Sequence, residues 1–272
     1  MTCGKTIWRK WLRVFLFIIS AFPVRGVVRA QGKEIRVAAA ADLKFAMGDL
    51  SERFEKQTGI KVHVTYGSSG NFFSQMQNGA PFDLFFSADI EYPKKLEAAG
   101  LAERGTLYEY AIGRIVIWTP ANAKVDVAKH GWNALQDPSV EKIAIANPDH
   151  APYGRAAVAA LQKAGIYEQV KTKLVYGENI SQAAQFVQSG NAQAGIVAMS
   201  LAVSSAMRDG KRWMIPAEMH PPIEQGAIIL EDAKNQEAAK AFLDFVKSSA
   251  GSSMLAKYGF EFPESMKKGK KR

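Results

Sequence analysis

The amino-acid sequence predicts an α/β fold of two doubly wound lobes, with the second lobe inserted into the first. Short apolar runs typical of buried strands alternate with segments in which apolar residues recur at helical spacing. Such alternation favours parallel sheets covered by helices. The pattern occurs twice, with a break near 115–120 and a return near 215–225. We therefore expect lobe I to comprise residues 31–117 and 219–266, and lobe II to comprise residues 118–218.

Each predicted strand of lobe I is a short apolar run that ends where a helical pattern begins. The helices end near glycine or asparagine, which favour the left-handed conformation that follows many helices. Strands are predicted at residues 35–40, 62–66 and 83–87, and helices at residues 43–59, 71–78 and 93–100. A β-rich run at residues 112–119 follows and is closed by Pro120.

The alternation resumes in lobe II after a looser patch at residues 124–138. Here we expect strands at residues 142–146, 174–176 and 194–199, and helices at residues 154–163 and 181–188. The chain then returns through Pro221 and Pro222 to lobe I. A strand at 227–230 and helices at 233–247 and 253–258 complete the predicted fold.

Residues 1–30 have the pattern of a secretory signal peptide rather than of a folded element. A basic start precedes an apolar run that is too short to span a bilayer comfortably, and small residues follow at a plausible cleavage point. We therefore expect a periplasmic protein whose signal peptide is cleaved. The single cysteine, Cys3, lies in this segment, so the exported chain must be stabilised by packing instead of disulfides.

The isoelectric point near 9.5 does not indicate a nucleic-acid-binding protein, because the basic residues are concentrated at the two ends. Residues 1–30 contain six of the 35 basic residues, and the tail at 267–272 contains five more. The rest of the chain carries slightly more acidic than basic residues. We interpret 267–272 as a solvated basic tail and expect a monomer with no nucleic-acid partner.

Four strand-end turns, each leading into a helix, suggest a ligand cleft between the lobes. They lie at residues 38–43 and 67–71 in lobe I, and at 147–154 and 177–181 in lobe II. Helix starts present unpaired backbone N–H groups, and ligands of open α/β sheets bind at the carboxyl ends of strands. None of the turns has a lysine or arginine at its centre. These features favour a small, fully ionised oxyanion held by N–H and hydroxyl donors.

Several blocks of the sequence resemble the molybdate-binding proteins that supply ABC importers. They occur in order from about residue 34 to residue 262, at 38–47 (AAAADLKFAM), 66–72 (YGSSGNF), 78–89 (NGAPFDLFFSAD), 110–113, 146–148 and 151–154. The resemblance implies the type II periplasmic binding protein fold, a bound molybdate or tungstate, and delivery to an inner-membrane permease. It implies no enzymatic activity, no cofactor, and molybdenum only as the bound anion, without direct protein–metal ligands.

Carried over position by position, the resemblance implies four oxyanion-binding residues: Asp42, Ser69, and the backbone N–H groups of Tyr153 and Ile180. The chain departs from many members at Asp42, where they have serine, and at Ala198, where they have a ligand-facing tyrosine. Tyr153 could replace that tyrosine or could serve only in packing. Ser68 could hold the turn while Ser69 donates to the anion.

Asp42 leaves two interpretations open. Its carboxylate could turn back as a helix N-cap, which leaves a site of donors only and favours molybdate or tungstate. It could instead face the cleft and accept a hydrogen bond from a protonated anion such as phosphate, arsenate or a phosphonate. We expect the N-cap, because the matching blocks surround the cleft.

A secreted hydrolase is the alternative from a different class of protein. The turn at 67–71 lacks the final glycine of the G-x-S-x-G motif, and no HExxH zinc helix occurs. The four histidines have no metal-ligand spacing. These absences favour a binding protein over an enzyme, and they give no support to a protein-bound metal site.

Overall fold

Ten strands form the framework of the computed structural model, which describes residues 34–263. The predicted signal peptide at 1–30 and the basic tail at 267–272 lie outside these residues. The strands are β1 (Glu34–Ala40), β2 (Lys61–Gly67), β3 (Leu84–Ser87), β4 (Tyr108–Gly113), β5 (Ile115–Thr119), β6 (Ile143–Ala146), β7 (Leu174–Gly177), β8 (Ala194–Ala198), β9 (Lys211–Met214) and β10 (Ile223–Ile229).

Ten α-helices cover the strands within the same part of the chain. They are α1 (Lys44–Thr58), α2 (Ser69–Gln77), α3 (Glu91–Ala98), α4 (Val127–His130), α5 (Pro152–Lys163), α6 (Tyr167–Val170), α7 (Ile180–Gln188), α8 (Met199–Ala202), α9 (Gln236–Lys247) and α10 (Ser249–Lys257). None of these helices has the length and apolar character needed to cross a membrane.

The strands form two five-stranded sheets, one in each lobe, and this two-lobe architecture confirms the predicted fold class. The sheet of lobe I has the order β2-β1-β3-β10-β4, and the sheet of lobe II has the order β7-β6-β8-β5-β9. Both sheets are mixed, with parallel pairs as expected and one reversed strand each. Strand β10 is antiparallel to both of its neighbours, as is β5 in the other sheet. The chain enters each of these strands from the other sheet. Neither strand is therefore part of a strand–helix–strand connection within one sheet, the connection that makes neighbouring strands parallel.

The crossing between the lobes lies at Arg114. The run predicted as one strand at 112–119 is two strands, because β4 pairs in the first sheet and β5 in the second. The chain thus passes from the first sheet to the second between Gly113 and Ile115, and the lobe boundary after residue 117 stays a prediction. The guanidinium of Arg114 binds Glu261 Oε1 at 2.6 Å and the C=O of Ile215 at 3.2 Å, which ties the outward crossing to the start of the return.

Two further elements differ from the expectation from sequence. Strand β9 was not predicted, because its alternating residues are only partly buried at the edge of the sheet. Strand β10 begins at Ile223, four residues before the predicted start at 227. This extension matters for the site, because it places Gln225 inside a buried strand.

Each lobe has its own apolar core, which fixes the strand ends in place. In lobe I, Phe242 of α9 packs edge-to-face against Phe54 of α1 at 5.0 Å and against Phe86 of β3 at 6.1 Å. All three rings are buried. In lobe II, Ile143, Ile196 and other β-branched residues of the central strands are fully buried beneath α5 and α7. These packed sheets hold the turns between β-strand and helix at a common edge.

Candidate functional site

The four residues that the resemblance implied, Asp42, Ser69, Tyr153 and Ile180, line one cavity between the lobes. Its volume is about 10 Å³, which is roughly the space of one water molecule. Asp42 and Ser69 come from lobe I, and Tyr153 and Ile180 come from lobe II. Each of the four is at most 3% exposed. The structure thus brings together, at one buried point, residues that lie up to 138 positions apart in the sequence.

Three of these residues lie in the first turn of a helix. Ser69 begins α2, Ile180 begins α7, and Tyr153 follows Pro152 at the start of α5. Asp42 lies in a short 3-10 turn before α1. Backbone N–H groups in these positions lack partners inside their own helix. Among residues 34–263, no lysine or arginine lines the cavity, so a ligand there meets N–H groups and the positive ends of helix dipoles.

The two serines of the turn have separate tasks. Ser68 caps α2, because its Oγ accepts a hydrogen bond from the N–H of Asn71 at 3.3 Å. The Oγ of Ser69 accepts a hydrogen bond from the N–H of Ala88 at 2.9 Å. A hydroxyl that accepts one hydrogen bond still has its proton to donate. Ser69 can therefore offer both its hydroxyl and its N–H to an anion in the cavity.

The carboxylate of Asp42 is not a helix cap, which corrects the expectation from sequence. Neither the 3-10 turn nor α1 receives a hydrogen bond from a capping side chain. Asp42 Oδ2 instead accepts from the Tyr153 hydroxyl at 2.9 Å and from Gln225 Nε2 at 2.8 Å. The Oδ1 atom is buried and has no hydrogen-bond partner among the described residues. Helix capping requires a carboxylate that faces its own helix, whereas this one faces β10 and the other lobe.

Burial raises the pKa of Asp42 from its ordinary value of 3.8 to about 6. The hydrogen bonds from Gln225 and Tyr153 act in the opposite direction, but the loss of hydration outweighs them. Burial also raises the pKa of Tyr153 and Tyr110 well above that of an exposed tyrosine. Both tyrosines therefore remain protonated and act as O–H donors at neutral pH.

Gln225 is a site residue that the sequence did not reveal. Its Nε2 contacts both Asp42 Oδ2 and, at 3.0 Å, the Tyr153 hydroxyl, and its Oε1 accepts from the Tyr110 hydroxyl at 2.6 Å. A register shift between Gln225 and Gly226 marks a bulge in β10, and bulges redirect side chains. In the sequence Gln225 stands beside Glu224 at the start of a run that is otherwise apolar or glycine, and nothing in that pattern distinguishes it as a site residue. The ring of Tyr153 thus both packs in the interior and belongs to the site.

Other contacts close the lobes around the cavity. The N–H of Gly70 donates to the C=O of His150 at 3.0 Å, and Ser68 Oγ lies 2.8 Å from Nδ1 of the same histidine. Arg155 of lobe II forms a 2.5 Å ion pair with Asp89 of lobe I. A Cβ atom at position 70 would lie 2.6 Å from the His150 carbonyl oxygen, so this approach requires glycine.

The site is suited to an anion rather than to a bare metal ion. No cluster of three or more histidine, cysteine, aspartate or glutamate side chains able to hold a metal occurs between residues 34 and 263. Donor groups from four turns instead surround the cavity. Two lobes that enclose such a cavity define a solute-binding protein.

The comparisons with known proteins agree with this class. The chain belongs to the bacterial extracellular solute-binding protein family, whose family model matches residues 35–261. It is 40% identical to the molybdate-binding protein ModA of Azotobacter vinelandii over 85% of this chain and 91% of the relative. It is 38% identical to ModA of Rhodobacter capsulatus over 85% of this chain and 89% of the relative.

A solved structure shares the fold as well. The periplasmic molybdate-binding protein of Azotobacter vinelandii superimposes with a TM-score of 0.79 and 31% sequence identity, covering 85% of this chain and 100% of that chain. The family resemblance inferred from the sequence is therefore confirmed.

We predict that Asp42→Asn stabilises the protein at pH 8 by about 3 kcal/mol, the free energy that corresponds to raising a pKa from 3.8 to about 6. Because folding raises the pKa of Asp42, the protein is more stable when this carboxyl is protonated. The wild-type protein therefore loses this part of its free energy of unfolding as the pH rises from about 4 to above 6. The gain in the variant should therefore be largest at pH 8 and should mostly disappear at pH 4. Urea denaturation at both pH values measures it.

Asp137→Asn is the matched control, because the hydroxyl and N–H of Ser139 lower the pKa of Asp137. That variant should lose stability at pH 8 and recover at pH 4. A gain for Asp42→Asn that is equal at both pH values would contradict the assigned titration.

Proposed function

We propose that this protein captures molybdate or tungstate in the interlobe cavity, outside the cytoplasm, and delivers it to the permease of an ABC importer. The observation that carries the proposal is the convergence of N–H and hydroxyl donors from both lobes on one small, buried cavity, which no basic side chain of the described residues lines. Relatives named as molybdate-binding proteins, over most of the same length, support the choice of anion.

A donor set of this kind selects for charge and shape together. Hydrogen bonds to a charged acceptor are about twice as strong as those between neutral groups. Four helix starts surround the cavity, so a compact anion with several equivalent oxygens can satisfy donors from all sides. We propose that Asp42 and Ser69 bind the anion from lobe I, and that the N–H groups of Tyr153 and Ile180 bind it from lobe II.

The protonated oxyanions phosphate, arsenate and phosphonate form the second candidate class. One observation favours them: Asp42 Oδ1 is a buried acceptor without a donor. An ionised carboxylate could accept a hydrogen bond from the hydroxyl of such an anion, which fully ionised molybdate lacks. The two classes therefore differ in which partner carries the proton.

Capture is proposed to proceed by closure of the lobes. The bonds of Gly70 and Arg155 across the cleft need both lobes in contact, and within residues 34–263 the chain crosses between the sheets at Arg114 and in the segment before β10. Lobes joined by so few crossings can hinge around a ligand. We further propose that the protein acts as a monomer, has no enzymatic activity or cofactor, binds no nucleic acid, and is exported with removal of residues 1–30.

We predict that the protein, purified without residues 1–30, binds molybdate and tungstate much more tightly than sulfate or phosphate at pH 7.5. Full ionisation and size set this order, because each donor needs an oxygen within hydrogen-bond distance. Isothermal titration calorimetry with the four anions measures it. Tight phosphate binding without molybdate binding would select the second candidate class, and heat from turnover of an ester panel would indicate the hydrolase.

Ser69→Ala should weaken molybdate binding roughly ten- to a hundredfold, because loss of one donor to a charged acceptor costs about 1.5–3 kcal/mol. It should also lower stability, since the buried N–H of Ala88 loses its acceptor. Ser74→Ala, on an exposed position of the same helix, is the matched control. Unchanged affinity in folded Ser69→Ala would remove Ser69 from the site.

Molybdate should reduce the radius of gyration measured by small-angle X-ray scattering, because it favours the closed lobes. Gly70→Ala should bind more weakly and show a smaller reduction, since its Cβ atom would collide with the C=O of His150. Gly48→Ala is the control, because a Cβ atom there meets nothing within 4 Å. Identical scattering of the wild-type protein with and without saturating molybdate would argue for lobes that do not hinge.

A further inference from the structure

The two carboxylate oxygens of Asp42 have different surroundings, although the whole side chain is only 1% exposed. Oδ2 accepts two hydrogen bonds, from Tyr153 and Gln225, and so anchors the group. Oδ1 accepts none from the described residues. A buried acceptor without a donor is unfavourable, and this one belongs to a residue that lines the cavity. The carboxylate is therefore fixed at one oxygen and unsatisfied at the other.

A dianion in the same cavity would make the ionised state of Asp42 still more unfavourable. Ionised Asp42 and the anion would both be negative, in a site removed from water, where charges interact strongly. In the part of the chain that the structure describes, no lysine or arginine lines the cavity to offset the repulsion. The inference that follows rests on the proposed function, because it requires an oxyanion at this point.

We propose that the oxyanion binds together with one proton, which Asp42 takes up at Oδ1. The proton comes from solvent, and the carboxylate becomes a neutral carboxyl group. Its new O–H bond converts Oδ1 from an acceptor into a donor, and an oxygen of the anion accepts the hydrogen bond. The loaded site then carries the charge of the anion alone, and each group around it is a donor.

The groups that face the Asp42 carboxyl leave no other nearby place for this proton. Tyr153 of α5 and Tyr110 of β4 already hold their protons, and Gln225 of β10 is a neutral amide. From α8, the hydroxyl of Ser200 donates to the backbone C=O of Asp42 at 2.7 Å. The side chain of Lys44, at the start of α1, is exposed to solvent. The carboxyl is thus the group at this point that can change charge near neutral pH.

The coupling fixes the direction of the pH dependence. Without the anion, Asp42 has a pKa of about 6, and the negative charge of the anion raises it further. At a pH between the pKa of Asp42 without the anion and its higher pKa with the anion bound, the affinity for the anion should increase as the pH falls, by up to tenfold per pH unit. The affinity should level off below about pH 6, where Asp42 is already protonated without the anion.

Calorimetric titration with sodium molybdate at pH 7.5, in buffers of different protonation enthalpy, counts the protons taken up per anion. We expect uptake that approaches one proton for the wild-type protein and none for Asp42→Asn, whose carboxamide imitates the neutral carboxyl. Asp42→Asn should bind molybdate at least tenfold more tightly than the wild type at pH 8, with an affinity that is constant from pH 6.5 to 8.5. Asp42→Ser, which also removes the charge, provides a second variant if the first does not fold.

His150→Gln is the matched control, because the imidazole ring contacts Ser68 beside the cavity and glutamine cannot take up a proton. It should keep the proton uptake. Uptake that is lost in His150→Gln and kept in Asp42→Asn would assign the proton to the imidazole and overturn the proposal. Tight molybdate binding by the wild type without uptake would also overturn it, while leaving the proposed function intact. Absence of molybdate binding at every pH would instead refute the proposed function.

Discussion

The site depends on backbone N–H groups that the protein's own helices cannot satisfy. Every helix start leaves such donors, and most are exposed to water or bonded to capping side chains. Here the starts of α2, α5 and α7, together with the turn before α1, are buried against one another across the cleft. The two packed sheets hold these starts in place through the strand ends from which they emerge. We propose that an acceptor from outside the chain completes the hydrogen bonding of this region, so that closure and ligand binding depend on each other.

The network around Asp42 adds a second link between the lobes. Asp42 and Gln225 belong to lobe I, and the Tyr153 hydroxyl reaches them from lobe II. These bonds lie beside the anion donors and form only when the lobes are together. The same helix start thus supplies an N–H group for the ligand and a side chain for the interface. Gly70 and Arg155 connect the lobes on other sides of the cleft, so that closure is defined by several separate contacts.

Local features of this fold could be predicted from the sequence, and features that depend on distant partners could not. Strand–helix alternation and helix-ending glycines placed most elements, and the sequence singled out the turn at 67–70, which lines the interlobe cavity. The reversed strands β5 and β10 depend on the crossings between lobes, which no periodicity shows. The direction of the Asp42 carboxylate is decided by Gln225, which lies 183 residues away. A capping pattern in the sequence gives no information about such a competing partner.

A carboxyl group at an anion site has a consequence that serine or asparagine would not have. Those side chains present donors at any physiological pH, so the site they form has one charge state. Aspartate presents an acceptor when ionised and a donor when protonated, and burial brings the change between these states close to neutral pH. With Asp42 protonated, the same cavity therefore contains only donors. With Asp42 ionised, it contains an acceptor that suits a proton-bearing anion. We propose that the ligand preference of this protein therefore depends both on its sequence and on the pH at the site.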